Sequence, residues 1–275
     1  MTRRPCTLFT LSFFALAPFC CLGQEVVSTA SNASVNSQAT QPKTELFIAY
    51  KCRPSDRPAF RKYMEGPGVE QFEKWRREGV YSDELILFSS IVNEIGWDML
   101  VRLTFDTYAD LARWQVIEKV FPSGLSKQAL ALAQPVSTYT ANLFISGDSP
   151  KAKSDRSTAV YLTIEYRYTP YGSKDKYMKY ALGYPRKTFN AWLQDGHMSH
   201  YGIYLNHDET GIPWGSFVML EYTDLTGFGS REVAKLKAKA GLSHESSDYS
   251  LLNDTSESFR NEGPVMVADV ILKKN

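Results

Sequence analysis

Cysteine is scarce where it would matter. The 275-residue chain has four, and Cys6, Cys20 and Cys21 all fall within the first 21 residues. Cys52 is the only one beyond them, so the rest of the chain can form no internal disulfide and must be held by its core. Charge of one sign is also lacking. Lys and Arg number 31 against 30 Asp and Glu, a net +1 that gives no electrostatic basis for a nucleic-acid partner. Neither a phosphate-binding glycine loop, a nucleophile elbow nor any usual zinc spacing occurs, so no cofactor and no metal is expected. Histidine is absent before residue 197. What remains is ordinary for a globular protein: 43% hydrophobic, 22% charged and 13% aromatic residues, enough for a sizeable core.

Residues 1–23 follow the signal-peptide pattern. Arg3 and Arg4 make a positive start, residues 8–19 are apolar, and Cys21 and Gly23 put small side chains before Gln24. The apolar run is short for a membrane span, so the expectation is an exported protein, periplasmic or secreted, with no span after cleavage. Cleavage leaves 29 basic against 30 acidic residues, essentially neutral. Residues 24–43 are rich in Ser, Thr, Asn, Gln and Ala; they read as a flexible linker that cannot bury enough surface to offset its ordering entropy.

An internal repeat follows. Residues 72–103 and 189–220, offset by 117, share Phe72/Phe189, Trp75/Trp192, Gly79/Gly196, Ser82/Ser199 and Ile86/Ile203. The matches continue at Ile95/Ile212, Trp97/Trp214, Val101/Val218 and Leu103/Leu220. Composition alone would produce about two such coincidences over this length. The expected units run over 44–150 and 157–275.

Each unit shows the same order of elements. Strand-length β-branched and aromatic runs occur at 45–53 and 160–168. Helices over 67–78 and 185–195 open with proline and close on Gly79 or Gly196, with a further helical turn around Tyr63 and Tyr177. Strands follow at 84–90 and 201–207, then at 97–105 and 214–222. Thr107 and Asp110 form a capping box for a helix whose inner face reads Leu111, Trp114, Ile117 and Val120; Val233, Leu236 and Ala240 are the expected counterpart. Last strands lie at 136–145 and 265–272. The fold class is α+β: two tandem ferredoxin-like βαββαβ units whose antiparallel sheets pair into an intrachain α/β barrel.

This order, with the run Leu103-Thr-Phe-Asp-Thr-Tyr-Ala-Asp-Leu after Trp97, resembles the ferredoxin-like dimeric α/β-barrel superfamily. Antibiotic-biosynthesis monooxygenase, EthD and NIPSNAP families belong to it, and the run looks most like the NIPSNAP type. The resemblance implies paired sheets and small ligands inside each half. The monooxygenases' asparagine, tryptophan and histidine set finds no residue-by-residue match here, nor does a haem ligand.

Strand alternation nominates site residues. If Trp97 and Trp214 face the helices, then Arg102, Thr104, Met219 and Glu221 face the barrel interior. Tyr161, Thr163, Glu165 and Arg167 share the inward face of their strand, and the last strands add Asn142 and Asp269. The ligand-binding set is Arg102, Tyr161, Glu165, Arg167, Glu221 and Asp269, because enclosed ionisable groups are costly unless paired or used. Structural ion pairing is the competing reading. His200 and Tyr204 are weak candidates for a general base and a hydrogen-bond donor near Glu165, against a histidine sitting at the rim. His197, His200 and His207 with Asp208 and Glu209 are metal-ligand types, but a strand puts them on opposite faces and too far apart, so a solvated turn fits better. Cys52 reads as a buried apolar side chain.

The function these features favour is binding of a small organic ligand, aromatic or apolar, by an exported tandem barrel. The alternatives are a cofactor-independent oxygenase- or isomerase-like enzyme, and a non-catalytic oligomerisation module that would form homo-oligomers.

Overall fold

The strand sequences around Leu46–Tyr50, Leu85–Phe88 and Phe217–Leu220 are apolar at consecutive positions, which suits a sheet covered on both faces. A computed structural model describes residues 43–153, 155, 157–169, 172–207, 214–240 and 260–273. The expected signal peptide and nearly all of the linker lie outside the described residues.

In the first half β1 (Thr44–Cys52), α1 (Arg57–Tyr63), α2 (Val69–Arg77), β2 (Asp83–Ser89) and β3 (Met99–Phe105) follow in order. Then come α3 (Tyr108–Glu118), a single turn α4 (Lys127–Leu130) and β4 (Ala133–Asp148). The second half repeats this with β5 (Val160–Tyr168), α5 (Lys174–Leu182), α6 (Tyr184–Asp195), β6 (Met198–Asn206) and β7 (Ser216–Tyr222). It ends with α7 (Leu225–Gly229), α8 (Arg231–Ala240) and β8 (Arg260–Lys273). Gly79 and Gly196 close the main helices with φ of +70° and +83°, the left-handed conformation that glycine adopts without strain.

All strand pairs are antiparallel, and the sheet closes in the order β1-β3-β2-β8-β5-β7-β6-β4. β4 pairs with β1 of its own half and β6 of the other; β8 pairs with β5 and β2. Helices cover the outside. Alternation therefore sends Leu46, Ile48 and Tyr50 towards the helices, and Phe47 and Ala49 towards the barrel axis. No helix among the described residues is long and apolar enough to cross a membrane.

The middle of the barrel is filled. Phe47 packs on Tyr204 and Phe217 at 5.0 Å each, and Trp214 packs on Tyr139 at 5.3 Å and on Phe217 at 5.5 Å. Here the structure corrects the sequence reading: Trp97 and Trp214 belong to this interior cluster, not to the helix side. β3 and β7 begin only after them, and the alternation resets at the junctions. Asp98 is buried and accepts from the Cys52 amide at 2.9 Å and from Arg57. The Gly215 amide donates to the Tyr166 carbonyl at 2.7 Å. Arg102, Thr104, Met219 and Glu221 still face inward, because their parity is set within β3 and β7.

A second correction concerns the last helices. Val233 and Leu236 are 71% and 67% exposed, and Val120 is 73% exposed. The helix caps explain this. Thr107 accepts from the Asp110 amide, and Asp224, 117 residues on, accepts from the Gly227 amide. Counting from those caps, the inner face is Leu111, Trp114 and Ile117 in the first half and Phe228, Arg231 and Ala234 in the second. Val120 lies beyond the end of α3.

In the first half the layer between helices and sheet is solid. Trp114 stacks on Phe72 at 6.2 Å and meets Trp75 edge-on at 5.5 Å. Gly124, at φ +78°, lets the chain approach these rings so closely that a Cβ would lie 2.7 Å from Phe72 and 2.8 Å from Trp114. Gly124→Ala is therefore expected to lower stability by about 2–3 kcal/mol through left-handed strain and overpacking. Urea unfolding followed by tryptophan fluorescence measures it; an unchanged midpoint would refute the packing argument.

Candidate functional site

Two cavities stand out. The first, about 500 Å³, lies in the second half between the sheet and the helices, where the first half is filled. Arg231 takes the place of Trp114 and Ala234 that of Ile117, so the same cap register presents less ring and less branch to the layer. Tyr177, Tyr180, Phe189 and Trp192 line the helix side, and Ile203, Val218 and Leu220 line the sheet side. Arg231 sits at the margin with its guanidinium 4.0 Å over the Phe228 ring, donating to the Phe228 carbonyl at 3.0 Å. Glu232, Lys235 and Glu262 are beside it.

Two residues of its lining carry polar atoms without partners. The Tyr222 hydroxyl and the Trp192 indole N–H are buried and make no hydrogen bond among the described residues, in residues 1% and 8% exposed. Burial pushes the Tyr222 phenol above its usual range, opposed by Arg231. The first half has Phe105 at the position of Tyr222, so the hydroxyl is an addition peculiar to this side. No histidine, cysteine or methionine lines the cavity among the described residues, so the usual axial ligands of a haem are missing. The described lining of this cavity does not supply those ligands.

The second cavity, about 630 Å³, is one end of the barrel itself, where β1 and β5 begin. The pleat brings Arg102, Tyr161, Tyr204 and Glu221 together there, with His200 at the rim. Arg102 reaches across from one half to the other. It donates to the Tyr204 hydroxyl at 2.9 Å and to Asp83 at 2.5 Å, and its Nε lies 3.7 Å from Glu45. Glu45 accepts from Thr104 at 2.8 Å, and burial raises its carboxyl above the usual range against the pull of Arg102. Glu221, fully buried, accepts from Ser199 at 2.9 Å and from the Tyr161 hydroxyl. The two carboxylates occupy related places: Glu45 faces Thr104 across β1–β3, and Tyr161 faces Glu221 across β5–β7. A register shift between Met198 and His200 turns Ser199 towards Glu221.

The other nominated residues are elsewhere. Glu165 and Arg167 belong to the opposite end of β5, with Glu165 influenced by Arg167 and close to Gly263. Tyr204 does not turn towards Glu165, because its ring folds over Gly202, where a Cβ would be 2.8 Å away. Asp269 faces outward beneath α1, paired with Arg61 at 3.1 Å and Ser90 at 3.0 Å. Asn142 also faces outward, since it pairs with Thr44 and Leu205 while Ala141 points inside. His200 pairs with Asp148 at 2.8 Å and His207 with Tyr108 at 2.9 Å, far from one another. No three histidine, cysteine or acidic side chains converge on a metal position among the described residues. Cys52 is buried, and burial with Asp98 nearby raises its thiol to about 12.

No family model matches the sequence, and no curated protein matches it. Solved structures do share its fold. A protein of Fusobacterium nucleatum named as a putative monooxygenase aligns with a TM-score of 0.53 at 12% identity, over 85% of this chain and 94% of its own. A mutant chlorite dismutase of Candidatus Nitrospira defluvii aligns at 0.50 and 10% identity, over 84% and 93%. The chain has the duplicated ferredoxin-like α/β-barrel fold of these proteins. The similarity spans both halves in one polypeptide.

Glu165 provides a test of the far end. Burial raises its carboxyl to about 7 from 4.5, opposed by Arg167. The folded state thus holds the proton more tightly than the unfolded one. This contribution to stability is full below pH 4.5 and is lost as pH rises through 7. Glu165→Gln is expected to match the parent in melting temperature at pH 4.5 and exceed it by several degrees at pH 8. A difference independent of pH would contradict the assignment.

Proposed function

We propose that the protein binds a small aromatic or apolar molecule bearing an oxygen acceptor, in the helix–sheet cavity of its second half. The observation that carries this reading is the orphaned pair of donors, Tyr222 Oη and Trp192 Nε1, on residues that line a largely aromatic and aliphatic pocket. A buried polar group without a partner costs about 1–3 kcal/mol, and a ligand carbonyl or carboxylate would remove that cost. Tyrosine and tryptophan rings supply the contact area, and Arg231 supplies a further donor at the edge. Residues 1–23 support the accompanying proposal that the protein is exported.

Tryptophan and tyrosine fluorescence quenching by 1,4-naphthoquinone, with naphthalene as the acceptor-free control, tests the reading. The quinone is expected to bind at least tenfold more tightly than naphthalene. Tyr222→Phe, which installs the side chain of the first half, should remove most of that preference and leave naphthalene unaffected. Arg231→Trp should fill the pocket as Trp114 does, abolish binding and raise stability by about 0.5–2 kcal/mol. Equal affinities for the two probes, or quinone binding that survives both substitutions, would overturn the proposal.

A further inference from the structure

We propose that α8 and the start of α6 form a docking face for an anionic lipid surface. An ordinary surface helix turns its apolar side to the core and its charges to water. α8 is arranged the other way. Arg231 and Ala234 face the sheet, while Val233, Leu236 and Ala240, which share one side of the helix at i, i+3 and i+7, are exposed. Leu225 of α7, directly before α8, is 70% exposed as well. Exposed apolar side chains grouped in this way mark a surface that meets something other than water.

The charges beside this ridge are largely of one sign. α8 carries Arg231, Lys235, Lys237 and Lys239 against Glu232 alone. Lys235 makes no ion pair among the described residues, and Lys237 meets Asp195 at 3.4 Å in an exposed contact that solvent screens. Arg186 and Lys187 add two exposed cations at the start of α6, next to Tyr184 and Pro185 of the cavity lining. The acids of that lining are Glu232 and Glu262. The duplicated fold does not require this charge. α3 has Arg113 against Asp110 and Glu118, and the first half places Glu118 where the second has Lys235, and Lys119 where it has Leu236.

The composition of the face selects lipid over protein as its partner. Protein interfaces are enriched in aromatic side chains, methionine and arginine, and lysine is depleted in them. Here the ridge is aliphatic, and lysines stand beside it. An aliphatic ridge bordered by lysine suits the boundary of a bilayer, where the side chains of Val233 and Leu236 enter the acyl region and the ammonium groups meet phosphate. The attraction is specific to anionic headgroups, because only these give the surface a negative potential. Arg231, Glu232 and Lys235 also line the helix–sheet cavity, so docking brings the margin of that cavity to the lipid. This holds whether or not the cavity takes the ligand proposed above.

Vesicle co-sedimentation of the chain from Gln24 onward, which contains the whole closed barrel, tests the proposal. Binding to phosphatidylcholine vesicles with about 30% phosphatidylglycerol is expected to be at least tenfold tighter than to phosphatidylcholine alone. It should weaken at least tenfold between about 0.1 M and about 1 M NaCl. Leu236→Ser and Lys235→Glu, both at exposed positions, should each weaken it at least fivefold. Lys119→Glu, the same charge change in the first half, should alter it less than twofold. Equal binding to the two vesicles, binding unchanged in Leu236→Ser or Lys235→Glu, or an equal loss in Lys119→Glu would each overturn the proposal. So would a dimer in sedimentation velocity that Leu236→Ser dissociates while vesicles stay unbound, a result that assigns the face to a second copy of the chain.

Discussion

Closure of the sheet by two long strands is the constraint on which the rest depends. β4 runs 16 residues and β8 runs 14, and each forms a ladder with both halves of the chain. Without β8 the strand β2 would present an open edge, and without β4 so would β6. Each half therefore completes the other. Closure also makes an interior, and an interior sets strict terms for polar side chains. At the barrel end those terms link the halves: Arg102 donates to Tyr204 of the other half and lies beside Glu45, which accepts from Thr104.

The duplication produces two copies of one layer with different contents. Both copies start the helical segment after their third strand from a side-chain cap at the same offset, so corresponding positions face the sheet. The first half places Leu, Trp and Ile there; the second places Phe, Arg and Ala. Aromatic packing around Trp114 closes one layer, and the smaller, charged set leaves the other open. An unfilled apolar cavity costs about 20–25 cal/mol for each Å³. The first half demonstrates that this fold can avoid the cost, and the proposed ligand would offset it in the second. On that proposal, the donors of Tyr222 and Trp192 set the acceptor the ligand has to bring.

Much of the fold was legible from residues. The 117-residue offset, the helix-closing glycines and the Thr107 cap all express local physics that survives burial unchanged. The inward face of β5 was legible too, because strict alternation holds from Val160 to Ile164. Legibility failed where alternation is interrupted by contacts from elsewhere. Trp97 and Trp214 look like the first residues of their strands, yet Asp98 and Gly215 reset the phase through bonds to β1 and β5. Asp269 is expected inward as part of the last strand, but the pairing of β8 with both β2 and β5 turns it towards Arg61. The cavity in the second half was hidden because apolarity suggested Val233 and Leu236 as its inner face. Phase counted from Asp224 would have found Arg231 instead.

Parity alone could not separate the two ends of the barrel, and the distinction is what gives the interior its chemistry. Tyr161 and Glu165 share one face of one strand, four residues apart, which is about 13 Å along the chain. The aromatic cluster of Phe47, Phe217 and Trp214 occupies the region around that step. At the near end the acid is Glu221, met by two hydroxyl donors and placed opposite a related carboxylate, Glu45. At the far end the acid is Glu165, for which desolvation outweighs the attraction of Arg167. Burial outweighs the Arg102 and Thr104 contacts of Glu45 at one end and the attraction of Arg167 for Glu165 at the other, so both carboxyls hold a proton more tightly than in water. The same inward pleat thus places an acid at each end of the barrel, Glu45 within a network shared by both halves and Glu165 beside Arg167.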